Sequence, residues 1–242
     1  MRVAFLCFFY FISVNVAEAK QDYVDFRNAG LIYARCNGAT NIFYEVDAST
    51  PNKMLAKNAC LKLKTSISEI VDILPKNIRK EYQNINFFIL LGEKSPSAGL
   101  KSGMRFVRTG EPRESNGFDQ AWENGIIVYS ATNLMYLSEL WTKKAVMHEM
   151  AHAWHIWHWP EKHPPIYAAW KHAHANGLYR NVKETNGTVI PQAYALSNQL
   201  EYFAEISAAY FVGINYYPFD REILANYDRV GFEMVESLWA KQ

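Results

Sequence analysis

Two histidines four residues apart, with a glutamate directly after the first, make up His148-Glu149-Met150-Ala151-His152. On a helix, residues four apart share a face, so two imidazoles can grip one Zn²⁺ ion. Glu149 then stands beside the ion, where a carboxylate can act as general base toward a zinc-bound water. A shuffled chain of this composition contains such a string about once in seventy trials, so its surroundings must add weight. They do: the string lies in the most apolar helical stretch of the chain, Lys143 to Trp157. Burying two imidazoles and a carboxylate there is costly unless a metal or polar partners compensate. The plainer alternative is a histidine-rich helix whose rings are satisfied by backbone carbonyls.

A catalytic zinc usually has three protein ligands and one open position, so one ligand is missing. His158 lies ten residues after His148, the spacing of HExxHxxGxxH. That motif needs a glycine where this chain has His155. With the helix continuing, ten residues at 100° each turn His158 well away from the face of His148. His155 returns to that face two turns on and is expected to pack or to tune the site. The competing ligand is Glu201. In Gln199 to Val212 the only charges are Glu201 and Glu205, four apart in an apolar setting, with no Lys or Arg in the segment. Like charges at that spacing repel, so a cation is required. A zinc ion for Glu201 and a ligand imidazole N–H for Glu205 satisfy both. The remaining histidines, His163, His172 and His174 among them, read as exposed or packing residues, and Trp154, Trp157, Trp159 and Trp170 as core and cleft wall.

The strings His148-Glu149-Met150-Ala151-His152 and Tyr194 to Glu205 together resemble the zinc metallopeptidases related to the anthrax lethal factor catalytic domain. These are glutamate-zincins, with HExxH and a glutamate on a later helix. The resemblance extends to small secreted members, in which segments like His163-Pro164-Pro165-Ile166 and Tyr217-Pro218-Phe219 flank the same motifs. It covers Ala145 to Trp239 and is weak before Gly103. It implies His148, His152 and Glu201 as zinc ligands, Glu149 as general base, and Glu205 as the acidic residue behind a ligand. It further implies that the hydroxyl of Tyr194, seven residues before the ligand glutamate, stabilises the oxyanion, a task suited to a buried donor.

These residues need elements to hold them. Leu31 to Arg35 and Ile42 to Val46 are β-rich and separated by Asn, Gly and Thr, as in a hairpin. Lys53 to Leu74 has helical spacing and stops before Pro75. Ile85 to Leu91 reads as a central strand, Met104 to Arg108 and Gly125 to Ser130 as further strands. Gly92 to Gly103 and Glu111 to Gly117 read as loops. Helices follow: Lys143 to Trp157, Ile166 to Ala175 ending near Gly177, Gln199 to Val212 ended by Gly213, and Asp228 to Ala240. Strands first and helices afterwards predict an α+β fold, zincin-like by the resemblance, with the helical half over about 141–242.

Length and charge agree with a single globular catalytic domain. The 242 residues carry 25 basic and 24 acidic side chains, half are hydrophobic and 15% aromatic. Such a chain builds a sizeable core, and it has no basic footprint for nucleic acid. Met1 to Ala19 has a positive start, an apolar run and a small-x-small end, which predicts a secretory signal peptide and a mature domain over 20–242. No other segment is apolar enough to span a membrane. Removing Cys7 with that segment leaves Cys36 and Cys60, whose pairing is the default in an oxidising compartment. On the chain-entropy estimate that loop contributes about 3 kcal/mol; two buried thiols, or a Cys36 reaching an active site, are the alternatives. Asn186-Gly187-Thr188 is a glycosylation acceptor.

The expected function is a secreted, monomeric zinc endopeptidase acting on protein or peptide substrates. The competing expectation is a secreted non-catalytic binding module with a structural zinc. Glu149 and Tyr194 favour the first, because a structural site needs neither and closes its fourth position with protein.

Overall fold

The computed structural model describes residues 23–24, 32–46, 53–95, 101–110 and 120–240. The expected signal peptide and the expected loop at Glu111 to Gly117 lie outside them. Elements run β1 (Tyr23–Val24), β2 (Tyr33–Arg35), β3 (Ile42–Glu45), α1 (Lys53–Ile73), α2 (Lys76–Tyr82), β4 (Phe87–Ile89), β5 (Met104–Phe106) and β6 (Ile126–Val128). They continue with α3 (Ala131–Tyr136), α4 (Glu139–His158), α5 (Pro164–Ala175), β7 (Arg180–Lys183), β8 (Val189–Gln192), α6 (Gln199–Phe211), α7 (Arg221–Tyr227) and α8 (Arg229–Ala240). The fold is α+β, as expected.

Six strands form one mixed sheet in the order β1-β2-β3-β4-β6-β5. The expected hairpin is β2–β3, antiparallel with Ala34 opposite Tyr44. The apolar run around Phe87–Ile89 lies between β3 and β6, parallel to both, which is why it carries no alternation: both its faces are covered. On one face Phe87 and Ile89 join the main core with α1, α4 and α6; on the other Phe88 packs with Tyr33, Phe43, Leu90, Trp122, Ile127 and Tyr129. Strand β5 closes the order beyond β6, antiparallel to it.

Disulfide Cys36–Cys60 ties the end of β2 to α1, with Cα atoms 5.7 Å apart. Helix α4 is buried on nearly every side, against α1, α6 and β5; this explains its weak amphipathic pattern. Ser138 caps it by accepting from the Trp141 N–H, 3.3 Å away. Pro164 and Pro165 open α5, and Gly213, at φ +87°, ends α6 in the left-handed region. The β7–β8 hairpin inside the helical half is a departure from a strands-then-helices order. It carries Asn186 in its exposed turn, where the Asn186 Oδ1 accepts from the Thr188 N–H. Among the described residues, no helix is long and apolar enough to cross a membrane.

Candidate metal centre

Helix α4 carries His148 and His152 on the face it turns to α6, and α6 brings Glu201 to meet them. Asn198 caps α6, its Oδ1 accepting from the N–H groups of Leu200 and Glu201 at 2.9 and 3.0 Å. Asn-x-x-Glu at a helix start is the spacing of a capping box, in which the glutamate reaches back to the cap's own N–H. Here Glu201 instead turns to the histidines. Its Oε2 lies 3.0 Å from His148 Nε2 and 3.3 Å from His152 Nε2, and the two Nε2 atoms are 3.0 Å apart.

These three residues form a group that can hold a metal ion. Their chemistry fits zinc: two imidazoles and a carboxylate are a known catalytic donor set. Their spacing comes close too, since tetrahedral bonds of about 2.1 Å place ligand atoms about 3.4 Å apart. Two imidazole nitrogens aimed at one another and at the same carboxylate oxygen leave a neutral ring short of protons to share; a cation at the centre resolves that conflict. His158 is not brought to the triangle. It pairs with Glu81 at 2.8 Å and lies against Trp154, ring centroids 4.0 Å apart. His155 is fully buried and meets the Pro160 carbonyl at 3.2 Å.

Behind the triangle, Glu205 Oε1 meets His148 Nδ1 at 2.8 Å, as expected for the second glutamate. The other Glu205 oxygen meets a cation that helix-by-helix reading missed. Lys144, on α4, places its Nζ 3.0 Å from Glu205 Oε2, and the Tyr216 hydroxyl donates to the same oxygen at 2.5 Å. The expectation that a metal-ligating imidazole alone would balance Glu205 is thus incomplete: the ammonium comes from another helix, at a separation that spacing within one element cannot reveal.

Glu149 is buried, and its Oε2 accepts from the Phe106 N–H of β5 at 2.7 Å. Burial pushes its carboxyl above the usual range, against the opposing charge of the histidines. In the absence of a metal, burial works to lower His148, but hydrogen bonds with Glu201 and Glu205 outweigh it and hold the ring up at about 10. Burial likewise opposes ionisation of Glu201 and Glu205; His148 and His152 overcome it at Glu201 and pull it well below the usual range, and His148 with the charge of Lys144 brings Glu205 down to about 2.

Tyr194 opens a short 3₁₀ turn (Tyr194–Leu196) at the rim, its ring 5.9 Å from that of His148. It is 53% exposed, not the buried donor the resemblance suggested, because the turn sits at the mouth of a cleft. Partial burial, with the charge of Glu201 beside it, raises its hydroxyl to about 12, so it remains a donor at neutral pH. The cleft, about 370 Å³, is walled by β5 residues Met104 and Phe106, by Ile156 and Leu200, and by Glu149 and the triangle itself. No protein-family model matches the chain, and no curated protein or solved structure is significantly similar to it.

Proposed function

We propose that the chain is a zinc-dependent metalloendopeptidase with a zincin-like fold of the glutamate-zincin kind, exported by its N-terminal segment. The observation that carries this reading is the triangle of His148, His152 and Glu201 with the carboxylate of Glu149 beside it, all lining one open cleft. A structural site would be closed by a fourth protein ligand and would need no neighbouring base. The Cys36–Cys60 disulfide supports export to an oxidising compartment.

A bound zinc ion would supply Lewis acidity toward a peptide carbonyl and toward water. The protein's own groups do the rest. Phe106 holds Glu149 by Oε2, leaving Oε1 to take a proton from the attacking water and pass it to the departing amine nitrogen. A carboxyl raised by burial suits that exchange, because its basicity moves toward neutral pH. Tyr194 keeps its hydroxyl proton and donates it as a hydrogen bond to the carbonyl oxygen as charge gathers there. Met104, Phe106, Ile156 and Leu200 give the cleft apolar walls for the substrate's side chains.

The test is metal quantification on purified chain together with digestion of a peptide library, run beside Glu149→Gln. The native chain is expected to hold one zinc and to cleave. Glu149→Gln is expected to keep the zinc and lose turnover by about 10²- to 10⁴-fold, the range for a general base. Full turnover by that variant would remove Glu149 from the chemistry, and a native chain that holds zinc yet cleaves nothing would favour the binding-module reading.

A further inference from the structure

Lysine is rarely buried, yet Lys144 is only 8% exposed. It lies one helical turn before His148, on α4, with its ammonium caged. Nζ is 3.0 Å from Glu205 Oε2 and 2.8 Å from Asn215 Oδ1, and it stands 5.0 Å from the ring centres of both Trp141 and Tyr216. Asn215 is fixed in turn: its side-chain amide nitrogen donates to Glu184 Oε1 at 3.0 Å, and its backbone carbonyl accepts from the Thr185 N–H at 2.8 Å. The oxygen it shows to Lys144 is therefore not free to flip.

Glu205, 2% exposed, divides its two oxygens. Oε2 takes Lys144 and the Tyr216 hydroxyl; Oε1 is left facing His148 Nδ1. A carboxylate fixed on Nδ1 keeps the imidazole proton there and leaves the lone pair on Nε2. Nε2 is the atom that faces Glu201 and His152. We propose that Lys144 is a positioning residue for the metal centre: its ammonium holds Glu205 as an oriented anion, and Glu205 thereby fixes the ring and ligand atom of His148. The role rests on the metal centre proposed above, and it adds a charge balance. A divalent ion, Lys144, and the carboxylates Glu149, Glu201 and Glu205 sum to zero in a site where an uncompensated charge would be costly.

The experiment compares the native chain, Lys144→Met, and the double variant Lys144→Met with Glu205→Gln. Three readouts are taken: zinc affinity by chelator competition, the ¹⁵N shifts of the His148 ring in the zinc-loaded chain, and the thermal midpoint. Lys144→Met takes the ammonium from a buried carboxylate and leaves it only the Tyr216 hydroxyl and the His148 ring, so the variant is expected to melt earlier and to bind zinc about 10- to 100-fold more weakly. The double variant has no unpaired charge and is expected to recover its thermal midpoint. Its glutamine is a weaker acceptor, so zinc affinity stays about tenfold low and the ring nitrogen shifts depart from native. Recovery of native affinity together with the midpoint would reduce Lys144 to a structural ion pair, as would a Lys144→Met chain that binds zinc as tightly as the native one. A native chain that binds no zinc overturns both this role and the metal centre. One that binds zinc without cleaving peptides leaves Lys144 tested and overturns the peptidase reading alone.

Discussion

Glu201 and His158 are the two residues between which the site divides. One places its carboxylate oxygen within 3.3 Å of both facing Nε2 atoms, and the other is turned away onto Glu81 and Trp154. Glu201→Ala removes one of three donors and is expected to leave purified chain with little zinc. His158→Ala is expected to keep its full zinc content, and its loss is felt as packing against Trp154. Metal analysis of the two variants side by side separates them; zinc lost only from His158→Ala would move the centre to the histidine. Most of this was readable from types and spacing, because α4 and α6 each place their residues on one face. Lys144 was not. It is 61 residues from Glu205, and nothing within either helix marks the two as partners. The exposure of Tyr194 was equally hidden, since it depends on where a short turn meets the cleft.

At the scale of elements, the start of α6 matters most to the site. Asn198 satisfies two orphan N–H groups there, and one of them belongs to Glu201 itself. Asn198→Ala is expected to cost about 1 kcal/mol of stability, the usual penalty for a lost cap, and to weaken zinc binding because the first turn that carries Glu201 loosens. Urea melts and chelator competition measure the two losses; a full stability loss with native zinc affinity would show that Glu201 is held by its histidines and not by its helix. Long elements were legible from their length: α1 and α8 supply several turns of periodic apolar residues, and α4 and α6 long apolar runs with few charges. The short ones were not. Helices α2, α3 and α7 have six or seven residues, too few turns for a period to stand out, and α7 is announced only by its cap, Asp220, which accepts from the Ile223 N–H. Hairpin β7–β8 escaped because its residues are mostly exposed, with Val182 as the buried exception, and the apolar residues of β8 (Val189, Ile190, Pro191) are consecutive. It does not alternate strongly enough to read as a strand pair.

For the whole molecule, the buried histidines set how stability responds to pH, and they pull in opposite directions. Burial lowers His155 from 6.5 to about 4. As pH falls below 6.5 the unfolded chain takes up that proton and the folded chain does not, so stability drops until about pH 4. The full loss is about 3 kcal/mol for a shift of this size. His148 in the metal-free chain runs the other way, raised from 6.5 to about 10. Its contribution is complete below pH 6.5 and is lost as pH climbs toward 10. Glu201 and Glu205, both lowered from 4.5, add a further loss only below that value. Glu149, raised by burial, likewise loses its contribution as pH rises above 4.5, so the metal-free chain carries an acid slope from His155 and losses toward higher pH from Glu149 and then His148. Zinc at the proposed centre would take the place of the His148 proton, so loading the metal should abolish the slope that His148 gives and leave the His155 slope in place. Urea melts between pH 4.5 and 9.5, with and without a chelator, measure both slopes, and His155→Phe is expected to flatten the acid one alone. A His148 slope that survives zinc loading would mean that the ion does not bind at His148, and would remove the centre from which the peptidase reading is built.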